Sequence, residues 1–246
     1  MNRKIADAID KAECVAAMTG AGVSTLCGIP DFRGPTGLYK NPDAERIFDI
    51  DWFDRDPSVY YRGCSELIYG LGKYEPGPVH HALKRLEDEG RLSGIITQNI
   101  DMLHQKAGSS NVYEVHGSPI AHHCRRCGDC KTFGEISAMI AANGGEEGLV
   151  AGYVPRCACG GVIKPDVVLY GEPLPKYVCI GARREIANAD TLIIAGTSLS
   201  VEPAASFTED FRGKHLVIVN RTPTPADDRA TLLIRGDAAE VFSELK

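Results

Sequence analysis

The sequence predicts an α/β protein that consists of a doubly wound parallel sheet and a smaller insert domain. Short apolar runs alternate with helical patterns, with about 30 residues or fewer from one strand to the next, as is typical of a parallel sheet. This alternation stops between residues 118 and 165, where five of the nine cysteines lie, from Cys124 to Cys159. Together these features indicate a sheet interrupted by a separate, cysteine-rich segment.

Each element is predicted from its apolar spacing or from the residues that break it. The run from Cys14 to Met18 has the length of a buried strand. Residues 43–74 contain seven aromatic side chains, a density that favours core packing over an apolar ligand groove. Pro57 predicts the start of a helix. Strands are predicted at 14–18, 94–97, 112–115, 192–195, 216–219 and 232–234, an extended run at 167–170, a loop at 34–39, and helices at 3–12, 79–90, 178–189 and 238–245.

The length of 246 residues suits one large domain that carries a small insert. We expect the whole chain to act as one catalytic unit. The expected large domain combines residues 1–34, 75–117 and 166–246. The expected small domain combines residues 35–74 with the cysteine-rich insert, 118–165.

The composition excludes several classes of partner. A net charge of −6 argues against nucleic acid, because proteins that bind it usually carry a basic surface. No apolar run approaches the roughly 18 residues that a bilayer span requires, and residues 1–7 lack the apolar centre of a signal peptide. We therefore expect a cytoplasmic monomer with neither a nucleic acid nor a membrane as partner.

The cysteine spacing predicts a structural zinc site. Two close thiolate pairs separated by 29 residues can complete a closed tetrahedral Zn²⁺ site, and clustered thiols in a reducing compartment favour metal over disulfides. Cys130 follows the first pair at a spacing that makes it a rival ligand. The expected ligands are Cys124, Cys127, Cys157 and Cys159. The remaining cysteines are expected to be packing residues: Cys14, Cys27, Cys64 and Cys179.

A glycine-rich string follows the first predicted strand. Residues 20–33 read Gly-Ala-Gly-Val-Ser-Thr-Leu-Cys-Gly-Ile-Pro-Asp-Phe-Arg. Gly20, Gly22 and Gly28 allow the backbone to approach a ligand closely. A helix that begins near Gly22 would point free N–H groups at a phosphate. An ordinary strand-to-helix connection is the alternative, because two glycines after a strand are a weak signal.

Further polar strings follow the other predicted strands. In an open α/β sheet the ligand lies beyond the carboxyl ends of the strands, and these strings fall at those ends. Asn99 and Asp101 could read a carboxamide and ribose hydroxyls, although local loop capping explains them equally well. His116 is one of seven histidines, any of which could serve as a general base at neutral pH.

Taken whole, residues 20–33 resemble the first signature of the sirtuins, the NAD-dependent protein lysine deacylases. Further matches occur in the expected order and cover nearly the whole chain, from about residue 12 to 241. They are Thr97-Gln98-Asn99-Ile100-Asp101, His116-Gly117, the paired cysteines, Gly196-Thr197-Ser198-Leu199 and Val219-Asn220.

The resemblance implies a Rossmann-like fold, NAD and one structural zinc ion as cofactors, and acyl-lysine peptides or proteins as partners. It also implies that the peptide's acyl-lysine enters a tunnel between the sheet and the insert. His116 would be the general base, acting with Asn99 and Asp101. The products would be nicotinamide, the deacylated lysine and O-acyl-ADP-ribose.

The resemblance also implies binding residues, position by position. NAD would contact Gly20, Ala21, Gly22, Thr25, Asp31, Phe32, Arg33, Gln98, Asn99, Ile100, Asp101, Gly196, Thr197, Ser198, Asn220 and Ala238. The peptide would add as an extended strand between two segments, 168–172 and 199–201. Its expected contacts are Val168, Tyr170, Gly171, Glu172, Leu199 and Val201.

The acyl group is expected to be acetyl or a longer apolar chain. The desuccinylating branch of the family carries a Tyr-x-x-Arg pair, and Cys64 and Leu67 occupy those positions here. An apolar pocket disfavours an unpaired carboxylate. Tyr60 or Arg62 could still substitute for that pair.

Other reactions were weighed against deacylation. An ADP-ribosyltransferase using the same pocket is the first alternative, and a non-catalytic NAD sensor is the second. His116 argues against the sensor, because a pure binder needs no base. A dehydrogenase is disfavoured, since the glycine spacing is not G-x-G-x-x-G.

Overall fold

The computed structural model describes residues 5, 9, 12–31 and 44–243. The chain forms two compact units. The first combines residues 1–31, 75–115 and 175–246, and the second combines residues 32–74 and 116–174. The second unit therefore includes 116–117 and 166–174, which the sequence analysis placed in the large domain. The reason is that the strand before residue 168 pairs with the strand after residue 116.

The first unit is built on a six-stranded parallel sheet in the order β3-β2-β1-β7-β8-β9. The order reverses beside β1, so this is the doubly wound sheet that the sequence predicts. Its strands are β1 (Val15–Thr19), β2 (Leu92–Thr97), β3 (Val112–Glu114), β7 (Thr191–Ala195), β8 (His215–Asn220) and β9 (Leu232–Arg235).

Helices cover both faces of this sheet. Alternate residues of a strand point to opposite faces, and β1 is buried at every position. Val15 and Ala17 belong to an apolar core with α4 and α9, whereas α8 packs against β1, β2 and β3. The helices are α4 (Pro78–Asp88), α5 (Leu103–Lys106), α8 (Lys176–Asn188) and α9 (Ala238–Ser243).

The second unit contains a three-stranded antiparallel sheet in the order β5-β4-β6. These strands are β4 (Gly117–Cys124), β5 (Cys130–Thr132) and β6 (Ile163–Val167). The unit's helices are α1 (Ala44–Ile47), α2 (Ile50–Arg55), α3 (Pro57–Gly63), α6 (Phe133–Ala142) and α7 (Gly145–Val150).

The aromatic stretch is core packing, as predicted. Phe53, Tyr60 and Tyr61 are at most 2% exposed, and the Tyr60 ring lies edge-on to both neighbours. The Tyr61 hydroxyl donates to the Ile163 carbonyl over 2.7 Å, which ties α3 to β6. Burial of this hydrogen-bonded ring raises the pKa of Tyr61.

Two expectations about local structure differ from what is observed. The glycine string does not open an α-helix near Gly22, because it forms two single-turn 3₁₀ helices, Ala21–Val23 and Thr25–Cys27. Gly28, at φ +91°, closes the second of them. The extended run predicted at 167–170 overlaps the observed strand β6 (Ile163–Val167) at Val167 only.

The N-terminal helix prediction falls mostly outside the described residues, although Ile5 and Ile9 are helical and buried. The predicted loop at 34–39 lies outside the described part altogether. Within the described residues, no helix has both the length and the apolarity needed to cross a membrane.

Candidate functional site

The loops after β1 and β7 pack backbone against backbone at the point where the strand order reverses. A Cβ on Gly20 would lie 2.7 Å from Thr197 Cβ, and one on Gly22 would lie 2.8 Å from Gly196 Cα. Gly196 itself has φ +62° and faces the Val23 amide. Only glycine fits these positions, and the close approach creates a compact ligand-binding edge at the carboxyl ends of the strands.

Three buried side chains form a polar network below this loop. The Ser24 hydroxyl donates to Asp101 Oδ2 over 2.7 Å. The Asn99 amide Nδ2 donates to the Gly20 carbonyl over 3.2 Å and to Ser24 Oγ over 3.3 Å. All three side chains are at most 8% exposed. The network fixes the orientation of both the amide and the carboxylate, since a buried polar group keeps its partners.

Asp101 also contacts the start of the next helix. Its Oδ1 accepts the amide of Leu103, the first residue of α5, over 3.0 Å. Met102 between them has φ +59°, a conformation that non-glycine residues adopt at a cost in energy. The turn is therefore held in a strained shape that points Asp101 back toward Ser24.

Thr197 connects the ends of β2 and β7. Its hydroxyl accepts Gln98 Nε2 over 3.0 Å and the Leu199 amide over 3.2 Å. Leu199 is buried and has φ +51°. Ser198 Oγ lies 2.8 Å from Ser200 Oγ. The expected cofactor residues of these two strands thus meet in one network.

Asn220 ends β8, and its side chain is 7% exposed or less. Its Nδ2 donates to the Thr222 carbonyl over 2.9 Å, which closes the following turn. Buried Asp237 accepts the Glu240 amide over 3.0 Å at the start of α9, next to Ala238, which is buried. These two expected NAD residues, Asn220 and Ala238, therefore lie at the sheet's carboxyl edge, at the ends of β8 and β9.

The other expected NAD residues have varied surroundings. Ala21 and Thr25 are half-buried, and the Thr25 hydroxyl donates to the Gly22 carbonyl over 3.2 Å. Ile100 is buried and Asp31 is half-buried. Phe32 and Arg33 lie outside the described residues.

A pair of buried histidines lies beside this site. The His80 and His104 rings are 4.6 Å apart between centroids, and His104 Nε2 lies 3.0 Å from Thr19 Oγ1. Burial lowers the pKa of His104 well below its usual value, and burial also lowers the pKa of His80. Both rings are therefore neutral at pH 7.

His116 lies in the second unit, between β3 and β4, and is half-buried. Its backbone carbonyl accepts the Val168 amide over 2.8 Å. The next residue, Gly117, has φ +73°, and a Cβ there would lie 1.9 Å from the Asp166 carbonyl oxygen. The His-Gly pair thus fixes where β4 meets β6.

The segment expected to hold the peptide is a short edge closed by a turn. Tyr170 forms an isolated parallel bridge with Asp49, and its amide donates to the Phe48 carbonyl over 2.7 Å. The Glu172 amide then donates to the Leu169 carbonyl over 3.0 Å, and Gly171 has φ +94°. These contacts form a β-turn over 169–172, within the segment beside which the peptide is expected to add as an extended strand. Val201, in the other expected segment, is half-buried.

The predicted zinc ligands converge. The four sulfur atoms lie within 4.8 Å of one another, with Cys124 Sγ 3.5 Å from Cys159 Sγ and Cys127 Sγ 3.7 Å from Cys157 Sγ. Four thiolates about 2.3 Å from one Zn²⁺ lie roughly 3.8 Å apart in a tetrahedron. Backbone N–H groups, first that of Cys127, lower the pKa of Cys124 to about 6, whereas hydrogen bonds with the neighbouring thiols raise the pKa of Cys127, so the four thiols share their protons as one group.

The donor set therefore fits one closed, structural zinc ion. Cys130 is exposed in β5 and is not part of the group of four. The remaining cysteines are free, and Cys64 is fully buried, as a packing residue would be.

Two side chains make contacts that the sequence does not predict. In the first unit, the Ser24 hydroxyl orients Asp101. In the second unit, the Lys164 ammonium lies beside Glu172. A buried hydroxyl leaves little trace in a sequence, and a lysine in a strand that also contains Asp166 gives no clear signal of burial.

Comparison with known proteins agrees with this geometry. The profile of the Sir2 family matches residues 20–203. The chain is 42% identical over 250 residues to an NAD-dependent protein deacetylase of Clostridium perfringens, covering 98% of this chain and 97% of that one.

Solved structures agree as well. One is a Sir2 protein with a deacetylated p53 peptide and 3′-O-acetyl ADP-ribose, at TM-score 0.86 and 37% identity over 98% of this chain and 95% of that one. Another is Sir2 with a p53 peptide and NAD⁺, at TM-score 0.84 and 36% identity over 98% of this chain and 95% of that one. The chain belongs to the Sir2 family.

Proposed function

We propose that the protein is an NAD-dependent protein lysine deacylase that releases nicotinamide and O-acyl-ADP-ribose. The observation that carries this proposal is the buried Asn99–Ser24–Asp101 network at the carboxyl edge of the sheet. Family membership supports the same reaction, because the relatives are named as deacetylases and one was solved with an acetylated ADP-ribose.

The first unit would bind NAD. Gly20 and Gly22 let the loop after β1 pack against Gly196 and Thr197, where a Cβ would clash, and the pyrophosphate would lie against this backbone edge. Asn99 uses its Nδ2 on Gly20 and Ser24, so its Oδ1 is left to accept a carboxamide N–H. Asp101, held by Ser24, would position the nicotinamide ribose. Bound NAD supplies an electrophilic ribose carbon and the ribose hydroxyls.

His116 would act as the general base. A half-buried imidazole can accept a proton from a ribose hydroxyl at neutral pH. The hydrogen bond from the Val168 amide to its backbone carbonyl couples the position of His116 to the segment proposed to hold the peptide. In the second unit, that segment would contact an acyl-lysine peptide through its backbone, with little dependence on the peptide's sequence. In the first unit, residues 199–201 are proposed as peptide contacts of the same backbone kind.

The first experiment is a mass-spectrometric assay on an acetyl-lysine peptide, with and without NAD, for the wild type and His116→Ala. We expect deacetylation that requires NAD, yields O-acetyl-ADP-ribose and falls at least about 100-fold in the variant. If the His116→Ala variant binds NAD and turns over as fast as the wild type, His116 is not the general base.

ADP-ribosyl transfer is not favoured, because the compared structures carry deacylation products and substrates. The same assay separates the two reactions. A transferase would attach ADP-ribose to protein, whereas a deacylase leaves it on the released acyl group.

The acyl pocket is proposed to be apolar. Cys64 is fully buried, and Arg62 is exposed with its guanidinium donating to Ser58 Oγ over 3.2 Å. Tyr60 is buried in the aromatic core. These positions support preference for acetyl and longer apolar chains. Desuccinylation as fast as deacetylation would contradict the proposal.

We also propose that the enzyme is a cytoplasmic monomer. Support comes from the zinc-binding thiols, which suit a reducing compartment, and from a proposed residue set drawn from one chain. Light scattering after size-exclusion chromatography would measure the oligomeric state, and a dimer would contradict the proposed monomer.

A further inference from the structure

A buried ion pair lies directly behind the segment proposed to hold the peptide. Lys164 Nζ lies 2.8 Å from Glu172 Oε2, and the lysine side chain is 9% exposed while the glutamate side chain is 21% exposed. A charge at this depth is costly unless it is paired and fully hydrogen-bonded. A lysine at a buried position of β6 therefore needs a specific explanation.

The surroundings of the ammonium group satisfy it completely. Lys164 Nζ also donates to the Pro165 carbonyl over 3.1 Å and to the Val167 carbonyl over 2.8 Å. With Glu172, this gives three acceptors for the three N–H donors of an ammonium group. Lys164 therefore connects Val167, the last residue of β6, to Glu172, the last residue of the turn.

Glu172 is equally occupied. Its Oε2 accepts the Leu169 amide over 2.9 Å, while its own amide donates back to the Leu169 carbonyl. The side chain and the backbone of Glu172 therefore each make one hydrogen bond to Leu169, and these two bonds close the turn. Alternation along the segment leaves Val168 half-buried and Tyr170 exposed, on either side of buried Leu169.

We propose that Lys164 and Glu172 are positioning residues that hold 168–170 in the shape that docks the acyl-lysine peptide. Glu172 acts through the turn rather than by touching the peptide. This inference rests on the proposed function, because it assigns the segment a peptide. Since the Val168 amide is bonded to the His116 carbonyl, the same pair also keeps the docking segment in register with the proposed base.

The test compares Lys164→Met, Lys164→Arg, Glu172→Gln and the control Lys73→Met. Lys73 forms an ion pair with Glu66 in the same unit, but their side chains are 52% and 63% exposed. Kinetics give the KM for peptide and for NAD separately, and fluorescence anisotropy with a labelled acetyl-lysine peptide measures binding without turnover.

Lys164→Met and Glu172→Gln should each raise the peptide KM and the peptide Kd at least tenfold, with the KM for NAD unchanged. Lys164→Arg, which keeps a cation, should remain within about threefold of the wild type, as should Lys73→Met. A purely structural pair would instead lower thermal stability and leave the peptide KM unchanged, which would overturn the proposal.

The outcomes remain distinct from those of the proposed function. If the wild type binds peptide but shows no NAD-dependent turnover, the proposed deacylation is wrong. The anisotropy measurements on the variants still test whether Lys164 and Glu172 position the peptide-binding segment. If Lys164→Met does not fold, Glu172→Gln decides, because glutamine keeps an oxygen for the Leu169 amide. Wild-type peptide binding by folded Glu172→Gln would overturn the inference.

Discussion

At the scale of single residues, Ser24 is the side chain that links Asn99 to Asp101. It is 1% exposed, donates to Asp101 and accepts from Asn99, so it connects the two side chains proposed to read NAD. A hydroxyl that bonds a carboxylate is a charge-assisted interaction, stronger than a neutral one.

Ser24→Ala should weaken NAD binding and lower kcat/KM by roughly 10- to 100-fold, because Asp101 Oδ2 loses its hydrogen-bond donor, and an unsatisfied buried polar atom costs about 1–3 kcal/mol. Calorimetric titration with NAD measures the binding. Ser93→Ala serves as the control, since the Ser93 hydroxyl donates to the Val15 carbonyl at the opposite, amino-terminal end of the sheet. Equal affinity in wild type and Ser24→Ala would contradict the proposed network.

His104 predicts a pH dependence of stability. Because burial lowers its pKa in the folded state, the unfolded chain binds the proton more readily once the pH falls below about 6.5. Stability is therefore fully present above that pH, and it is lost as the pH falls from there toward the folded pKa, by up to about 1.4 kcal/mol per pH unit.

Urea unfolding between pH 8 and pH 5 measures this slope. His104→Gln keeps a nitrogen for Thr19 but cannot be protonated, so its free energy of unfolding should fall less steeply with acid than that of the wild type. Identical slopes would show that His104 does not titrate on unfolding.

At the scale of elements, the second unit relies on its metal site. Its antiparallel sheet is short, and Cys124 ends β4 while Cys157 and Cys159 precede β6. A closed zinc site supplies folding energy to such a segment directly.

Cys127→Ser should therefore bind less than one zinc per chain and unfold at a lower temperature. Cys130→Ser is the matched control, since Cys130 is exposed and outside the group of four. Atomic absorption gives the metal content and calorimetry the Tm. Loss of zinc in Cys130→Ser alone would reassign the ligand set.

At the scale of the whole molecule, the two units are expected to respond to different ligands. The first holds the proposed NAD loops on a six-stranded sheet, and the second holds the four-cysteine group. A ligand stabilises the folded state that binds it, in proportion to the logarithm of its concentration.

Hydrogen exchange can follow both responses in the full chain. Adding a strong zinc chelator should increase exchange in β4 and β6 at least tenfold and leave β1, β7 and β8 protected. NAD should instead slow exchange in the loops after β1 and β2. Uniform deprotection of all strands by the chelator would contradict this separation.

Much of the fold was predictable because it depends on local patterns. Buried parallel strands appear as apolar runs, so β1, β2, β7 and β8 were found within one or two residues. The cysteine pairs predicted a metal site from spacing alone. The helix expected near Gly22 is present only as two single-turn 3₁₀ helices, Ala21–Val23 and Thr25–Cys27, the first of which packs against Gly196.

The sequence by itself determined the doubly wound sheet, the family and the four thiols, because periodicity, motif order and pair spacing are properties of neighbouring residues. Only the tertiary structure decided that Ser24 orients Asp101, 77 residues away in the chain, and that Lys164 pairs with Glu172 behind a turn. Those roles depend on burial and on which groups meet, and both arise only when distant segments pack together.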